Sequence, residues 1–282
     1  MTSPNTYTHG HHESVLRTHQ WRTAENSAAY LLPQLDSGAS LLDIGAGPGT
    51  ITVDFAERVG HVTATEIGES ELALSRRTAE DRGVTNLSFA VEDVHALSFA
   101  DGTFDVTHAH QVLQHVADPV LALREMARVT RPGGIVAARD GDYGGFLWYP
   151  EVPEIGEWFS LYSRAARANG GEPDAGRRLL SWARQAGFTD VTATASTWCY
   201  ATPEDRAYWA LPWADRVLES AVARQLLDAG TATEAQLRRI SDAWRRWADT
   251  EDGWFVVPHG EIIYRKAAAV RGDDPPGPPD SR

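Results

Sequence analysis

Apolar and polar positions follow two alternating periods along the first half of the chain. Compact runs of apolar and β-branched residues, typical of strands buried on both faces of a parallel sheet, occur at 41–44, 61–65, 87–91, 104–109 and 135–139. Segments with apolar residues at helical spacing separate these runs, and Gly or Pro marks several of the boundaries. This alternation predicts an α/β fold with a mostly parallel sheet and helices on both faces.

The second half of the chain changes character. A helical pattern over 153–171 predicts a lid, residues 191–199 alternate like a strand, and tryptophans mark a second helical segment between 203 and 250. We divide the chain into an N-terminal helical cap (1–36), a ligand-binding core (37–145), a lid insert (146–175), a continuation of the core (176–200), a helical insert (201–252), a closing strand (253–270) and a disordered tail rich in Pro, Asp and Gly (271–282).

The first predicted strand ends in the glycine turn Gly45-Ala46-Gly47-Pro48-Gly49. Glycine has no Cβ, so the backbone N–H groups of such a turn can come close to a ligand. The dinucleotide fingerprint needs a third glycine where Thr50 stands, which weakens an NAD interpretation. Asp43 places a carboxylate where a pyrophosphate would sit, and this favours a ligand that carries positive charge.

The run Asp-Ile-Gly-Ala-Gly-Pro-Gly-Thr at 43–50 resembles the first motif of class I S-adenosylmethionine (SAM) dependent methyltransferases. The branch it resembles is that of the ubiquinone- and menaquinone-biosynthesis enzymes. Later segments follow in the same order as in that family: an acidic residue after the second strand, Glu-Asp-Val at 92–94 and Pro-Gly-Gly at 132–134. The resemblance covers about 37–139. It implies a Rossmann-like sheet of seven strands with helical lid inserts, SAM as cofactor and methyl transfer.

The resemblance also implies cofactor contacts. Glu66 follows the second strand, where an acidic residue accepts hydrogen bonds from ribose hydroxyls. Asp93 would accept the adenine amino group, with the backbone near Val94 holding the ring. The expected cofactor set is Arg22, Asp43, Gly45, Ala46, Gly47, Thr50, Glu66, Ile67, Asp93, Val94, His110, Gln111 and His115.

The N-terminal segment is predicted to be helical, because Trp21, Leu31 and Leu32 lie at helical spacing, and Pro33 is predicted to end the pattern. In the family that the chain resembles, such a helix closes the methionine end of SAM. Tyr7 and Arg22 are then expected contacts, with Arg22 on the carboxylate. A solvated helix surface is an equally good interpretation of both residues.

His110 follows the fourth predicted strand and is the leading candidate for a general base. Ligands of open parallel sheets lie beyond the carboxyl ends of the strands, and an imidazole with an ordinary pKa near 6.5 suits proton transfer at neutral pH. His115 is interpreted as a structural hydrogen-bonding residue and His108 as a core histidine. The further candidates for catalysis are Asp140, Tyr7 and Glu25.

Aromatic residues and flexible glycines follow the fifth strand, where acceptor pockets are built. Tyr143, Trp148 and Tyr149 are therefore expected to bind the acceptor. Ten tryptophans favour a small aromatic acceptor, indole- or phenol-like, with C-methylation preferred and O- or N-methylation as the alternative. A SAM-binding protein with a non-methylating reaction, such as a cyclisation, and a nicotinamide oxidoreductase are the other hypotheses.

Composition narrows the partners. The chain has 282 residues and a formal net charge of −13, which disfavours DNA or RNA. The single Cys199, an N-terminus without a signal-peptide pattern and the lack of a membrane-spanning run predict a cytoplasmic protein. The cluster His9, His11 and His12 lacks structural-zinc spacing, so no metal is expected. A small-molecule methyl acceptor is the expected partner, and a homodimer is one assembly that the sequence allows.

Overall fold

Eight strands form one sheet within residues 21–268, the part of the chain that the computed structural model describes. They are β1 (Ser40–Ile44), β2 (His61–Glu66), β3 (Leu87–Val91), β4 (Phe104–His110), β5 (Thr130–Gly141), β6 (Leu147–Tyr149), β7 (Val191–Tyr200) and β8 (Trp254–Arg265).

The hydrogen-bonded order of the sheet is β3-β2-β1-β4-β5-β8-β6, and β7 also pairs with β8. Strands β1 to β5 pair in parallel, whereas β8 is antiparallel to β5, β6 and β7. This confirms the mostly parallel Rossmann-like sheet predicted from the sequence. The three-residue strand β6 accounts for the eighth strand.

Helices cover both faces of the sheet. They are α1 (Ala24–Ser27), α2 (Thr50–Ala56), α3 (Glu69–Arg82), α4 (Pro119–Val129), α5 (Pro153–Ala168), α6 (Leu179–Gln185), α7 (Pro203–Glu219), α8 (Ala221–Asp228) and α9 (Glu234–Ala248), with 3₁₀ turns at Leu32–Gln34, Tyr143–Gly145 and Gly176–Arg178. Helices α1 and α2 pack on one face of the sheet, and α4 and α6 pack on the other. None of these helices is long and apolar enough to cross a membrane.

Local sequence signals explain several helix boundaries. Asp118 caps α4 by accepting a hydrogen bond from the Leu121 N–H at 2.9 Å, and Pro119 occupies the first turn, where its missing N–H costs nothing. Gly83 ends α3 in the left-handed conformation, with φ of +66°. Thr202 and Thr233 form capping boxes that begin α7 and α9.

A third apolar core fills the space between the inserts and the sheet. Helices α5, α7, α8 and α9 pack there against β6 and β8 around a cluster of buried aromatic rings. Trp158, Trp213, Trp244 and Trp247 are among the largest fully buried side chains. Indole rings bury large apolar areas, so this cluster anchors both inserts on the sheet.

The N-terminal pattern was predicted as a longer helix, and this was wrong for the described part. The capping box of Thr23 and Asn26 begins a helix that ends after four residues, at Ser27. Pro33 does not end a helix but lies in the first turn of a 3₁₀ turn, a position that tolerates proline. Tyr7 and the histidines at 9, 11 and 12 lie outside the described residues.

Candidate active site

The glycine turn after β1 adopts a backbone that only glycine takes easily. Gly45, Gly47 and Gly49 have φ of +68°, +57° and +78°. Two side chains of α3 stabilise the turn by hydrogen bonds. The Ser75 hydroxyl donates to the Gly47 carbonyl at 2.7 Å, and the Thr78 hydroxyl donates to the Pro48 carbonyl at 2.6 Å.

Space around the turn differs between two of its glycines. A Cβ on Gly45 would lie 2.4 Å from Cγ2 of Val112, whereas a Cβ on Gly47 would meet nothing within 4 Å. Gly47 therefore borders an open space at the carboxyl edge of the sheet. This is the place where ligands of such sheets bind.

The N–H groups of the turn are already paired, contrary to the expectation that they face a ligand. Gly45 and Ala46 donate to the Thr65 carbonyl at 2.9 and 3.1 Å, and Gly47 donates to Oε1 of Glu66 at 2.6 Å. The turn thus faces the open space with the Cα of Gly47. Its amides tie it to the end of β2.

Glu66 stands at the end of β2 beside the open space over Gly47. Burial raises the pKa of this carboxyl to about 7, against hydrogen bonds from Gly47 and Ile67 that lower it. The next residue, Ile67, is 68% exposed, an unusual exposure for a large apolar side chain. A carboxylate that could accept hydrogen bonds from sugar hydroxyls and an apolar side chain therefore lie side by side.

Asp43 does not face the ligand as predicted. Its side chain is buried, and its two oxygens accept hydrogen bonds from the Thr52 hydroxyl at 2.6 Å and from Nδ1 of His108 at 2.8 Å. A carboxylate held in this way braces β1 against α2 and β4. His108 is a core histidine, as the sequence predicted.

Asp93 and Val94 follow β3 and close the other side of the crevice. Burial acts to raise the pKa of Asp93, but hydrogen bonds from the backbone N–H and the ring Nδ1 of His95, at 2.9 and 2.7 Å, keep it below its usual value. The carboxylate is half-exposed and keeps Oδ2 for a further donor. Val94 is buried beneath it.

His110 ends β4 inside a buried polar row. In the sheet register, His110 lies beside Arg139 of β5, which lies beside Glu261 of β8. The three residues share the face that α1 and α2 cover, because strand side chains alternate between faces. Both ring nitrogens of His110 are buried without a hydrogen-bond partner.

The environment of His110 departs from the expectation of an ordinary pKa. Burial lowers the pKa of His110 well below its usual value, and the charges of Arg139 and Arg22 lower it further. The imidazole is therefore neutral at physiological pH and a weaker base than predicted. It can still accept or donate one hydrogen bond to a substrate.

Gln111, next in the chain, has a strained backbone with φ of +55°. Its side-chain amide lies 2.9 Å from Nε2 of His259, whose Nδ1 lies 3.0 Å from the Val257 carbonyl. A carbonyl only accepts, so Nδ1 carries the proton and Nε2 accepts from the Gln111 amide. Burial also lowers the pKa of His259 well below its usual value, in agreement with a neutral ring.

Asp140 lies on the opposite face of β5 and supports the turn that follows β4. Its Oδ1 accepts the Gln114 N–H at 3.1 Å, and its Oδ2 is buried without a partner. Burial raises the pKa of this carboxyl to about 8. The Gln114 amide in turn lies 2.9 Å from Nε2 of His115, which agrees with the hydrogen-bonding role predicted for His115. Burial lowers the pKa of His115 to about 4.

The candidate residues of the N-terminal segment differ in their surroundings. The guanidinium of Arg22 lies 5.3 Å from the Trp198 ring centre, near His110. The Glu25 carboxylate, in contrast, is exposed and forms an ion pair with Arg58, so it does not meet the requirements of a catalytic base. Tyr7 lies outside the described residues.

The three residues predicted to bind the acceptor also differ in their surroundings. Tyr143 stacks between Phe146 and Tyr162, with ring centres at 4.6 and 4.8 Å. Trp148 stacks on Phe255 at the edge of the aromatic core. Tyr149 is 56% exposed, because successive residues of a strand point to opposite faces and Trp148 takes the inner one. Tyr149 therefore points away from the aromatic core that holds Tyr143 and Trp148.

Three residues of this site were not predicted from the sequence. Arg139, Trp198 and His259 converge on His110 from β5, β7 and β8. One signal was available for Arg139, a charged residue that interrupts an apolar strand at its carboxyl end. Trp198 and His259 carried no such signal, since their approach depends on the pairing of distant strands.

The donor set suits SAM. SAM would lie in the open space over Gly47, with its ribose at the Glu66 carboxylate. Its purine ring would lie at the exposed Ile67 side chain, and its purine amine at the half-exposed Asp93 carboxylate. Within residues 21–268, no three His, Cys, Asp or Glu side chains come close enough together to hold a metal. Fold and site together define the class of SAM-dependent methyltransferases.

Comparison with known proteins identifies the family. Residues 35–187 match the family model described as a methyltransferase domain, and the chain belongs to this family. An uncharacterized methyltransferase of Schizosaccharomyces pombe is 37% identical over 273 residues, covering 92% of this chain and 96% of that protein.

Two further comparisons agree with this family. The ubiquinone/menaquinone biosynthesis C-methyltransferase UbiE of Bdellovibrio bacteriovorus is 35% identical over 130 residues, which are 45% of this chain and 52% of that protein. A solved geranyl diphosphate methyltransferase in complex with SAM shares the fold, with a TM-score of 0.53, 19% identity and coverage of 94% of this chain and 93% of that chain. The resemblance stated from the sequence is thereby confirmed.

Proposed function

We propose that this SAM-dependent methyltransferase methylates a ring carbon of a small aromatic metabolite, indole- or phenol-like, in secondary metabolism. The observation that carries the proposal is the contact between the aromatic core and the turn after β4. The Cβ position of Gly141 has Gln111 Nε2, Gln114 Oε1 and Tyr143 Cε2 within 4 Å. A flat apolar acceptor held at the edge of the Tyr143 ring near Gly141 would lie next to Gln111, the residue after His110.

The aromatic core also offers polar groups to such an acceptor. The indole N–H groups of Trp158, Trp209 and Trp244 are buried, and no side chain or carbonyl accepts them. A buried donor without a partner costs free energy, on the order of 1–3 kcal/mol. An acceptor with a ring oxygen or carbonyl would supply the missing partner.

The chemistry of C-methylation suits a weak base. The sulfonium of SAM supplies an activated methyl group and leaves as the neutral thioether of S-adenosylhomocysteine (SAH). The acceptor carbon forms the new C–C bond while the S–C bond breaks, and the ring then loses a proton to recover its aromaticity. Such a ring cation is a strong acid, so the neutral His110 imidazole is basic enough to take that proton despite its lowered pKa.

The alternative is O- or N-methylation of a similar metabolite, and the environment of Asp140 favours this alternative. A phenol or amine keeps its proton more tightly and needs a stronger base. The Asp140 carboxyl, whose pKa burial raises to about 8, is the more basic group when ionised. Its buried Oδ2 has no partner and would accept that proton.

Isotope labelling distinguishes these possibilities. The purified protein is incubated with SAM labelled with carbon-13 in the methyl group and a panel of indoles and phenols, and the products are separated by mass and examined by NMR. We expect a gain of one methyl group with the carbon shift of a methyl on carbon. A shift typical of a methyl on oxygen or nitrogen supports the alternative, and a rearranged product without label indicates a non-methylating reaction.

The remaining predictions on partners and location extend this proposal. A net charge of −13 supports a free small molecule rather than a nucleic acid as the methyl acceptor. The cytoplasmic location and the homodimer remain predictions.

A further inference from the structure

Arg139 is a fully buried cation whose hydrogen-bonding capacity is mostly unused. Its Nε donates to Oγ of Ser196 at 3.1 Å and approaches Oε1 of Glu261 at 3.3 Å. Nη1 and Nη2 are buried and have no partner at all. Buried guanidinium groups normally pair both edges of their planar fork, so this arrangement leaves two parallel donors unmatched.

The carboxylate beside Arg139 is shared with other donors. Arg139 and Arg22 both pack on the Trp198 ring, with guanidinium carbons 4.9 and 5.3 Å from its centre. The carboxylate of Glu261 already accepts hydrogen bonds from Ser196 and from Thr194. Oε1 of Glu261 is therefore shared between Arg139 and Ser196, and Nη1 and Nη2 of Arg139 have no carboxylate of their own.

The unmatched donors lie beside the residue at which methyl transfer is proposed. Arg139 and His110 are neighbours in the register of β5 and β4, on the same face of the sheet. Tyr30 adds a buried hydroxyl without a partner, and burial raises its pKa well above the usual value, so it stays an O–H donor. Residues 22–30 cover this place, since the Asn26 carbonyl accepts the Trp198 indole N–H at 2.7 Å.

We propose that Arg139 binds a carboxylate of the methyl acceptor through Nη1 and Nη2, with the Tyr30 hydroxyl completing the anion subsite. A carboxylate has two coplanar oxygens, which match the guanidinium fork in a bidentate pair. The inference rests on the proposed function and narrows its substrate class to aromatic carboxylic acids. It also assigns residues 22–30 as the cover over the bound anion.

Matched pairs of acids and carboxamides test this subsite. Indole-3-acetate with indole-3-acetamide and 4-hydroxybenzoate with 4-hydroxybenzamide differ in charge and little in shape. Binding is measured by calorimetry on the full chain with saturating SAH. We expect at least one acid to bind about tenfold more tightly than its amide, the order expected for a charge-assisted bidentate pair. Equal affinities, or no measurable binding of any acid, would overturn the inference.

Variants of Arg139 give the second part of the test. Arg139→Met should remove the preference for the acid, and Arg139→Lys, which keeps the charge but not the fork, should keep part of it. Arg184→Met, an exposed arginine on α6, is the matched control and should retain the full preference. SAH binding reports whether each variant is folded. A preference that survives in folded Arg139→Met overturns the assignment to this residue.

Different experimental results would contradict the proposed function and this inference. Methyl transfer to neutral indoles or phenols with no preference for acids contradicts the anion subsite and leaves the proposed function intact. Acids that bind in an Arg139-dependent way, while no ring acceptor of any charge gains a methyl group, contradict the proposed function instead.

Discussion

The backbone N–H of Gly47 donates a 2.6 Å hydrogen bond to Oε1 of Glu66. This bond joins the glycine turn after β1 to the acid after β2, so the two halves of the cofactor site are held in register before a ligand binds. The Glu66 carboxyl also accepts a hydrogen bond from the Ile67 N–H, so two backbone groups fix its position. Preorganisation of this kind reduces the ordering cost of binding.

Cofactor affinity should depend on pH through Glu66. Burial raises the pKa of this carboxyl to about 7, and ribose hydroxyls need the ionised form as acceptor. Binding then favours loss of the proton, so the affinity for SAH should fall as the pH drops below 7. Between pH 8 and pH 6 we expect a decrease of up to about tenfold by calorimetry.

Glu66→Gln should remove most of this pH dependence and weaken SAH binding at pH 8. Glu80→Gln, an exposed acid on α3, is the control and should behave as the unmodified protein. If the pH dependence is the same in Glu66→Gln, another group is responsible for it.

Gly47→Ala should separate cofactor binding from stability. A Cβ at Gly47 projects into open space, where the ligand is expected, while the positive φ costs about 1 kcal/mol for any L residue. Gly83→Ala is a close match, because Gly83 also has a positive φ and nothing within 4 Å of its Cβ position. Both variants should show a similar loss of Tm, and only Gly47→Ala should lose the stabilisation by SAH. Equal SAH stabilisation of the two variants would place the cofactor elsewhere.

Sequence patterns locate the candidate cofactor residues more readily than the residues that surround His110. The turn at 45–49, Glu66 and Asp93 belong to strand ends that follow one another along the chain, so local patterns suffice to place them. The polar row of His110, Arg139 and Glu261 forms only when β8, more than a hundred residues later, pairs with β5.

Local patterns also miss what packing does to side chains. The Asp43 carboxylate has the expected position in the chain, but Thr52 and His108 take its oxygens. The pKa of His110 falls because the fold buries the ring beside two arginines, neither of which is near it in sequence. Burial and long-range charge arise from tertiary structure, and a sequence pattern contains neither.

Gln111→Gly should relieve strain and reduce turnover at the same time. A left-handed φ of +55° costs a non-glycine residue on the order of 1 kcal/mol, so the glycine variant should be at least as stable as the unmodified protein. It also removes the amide that lies 2.9 Å from Nε2 of His259, which should lower kcat. Gln111→Asn tolerates the same backbone and is the control for strain. Unchanged kcat in Gln111→Gly would show that the strain has no catalytic purpose.

His110→Ala should lower turnover by about 10- to 100-fold, the range expected for loss of a positioned base, with little effect on SAH affinity. Because burial keeps the pKa of His110 well below its usual value, the pH profile of kcat should show no step near pH 6.5 that depends on this residue. His61→Ala, an exposed histidine at the start of β2, is the control. A kcat equal to that of the unmodified protein would remove His110 from the mechanism.

Asp140→Asn should stabilise the protein at alkaline pH and test the alternative base. The folded protein holds the Asp140 proton up to about pH 8, whereas the unfolded chain loses it near the ordinary value of 3.8. Unfolding therefore releases a proton between these values, and stability from this group falls as the pH rises, by about 1.4 kcal/mol per unit at most. Asparagine has no proton to lose, so the Tm of Asp140→Asn should decline less between pH 6 and pH 8. If Asp140 is the base, kcat of the unmodified protein should rise with pH toward 8. The Asp140→Asn variant should then lose both that rise and most of its turnover. An active variant with an unchanged pH profile would leave His110 as the proton acceptor.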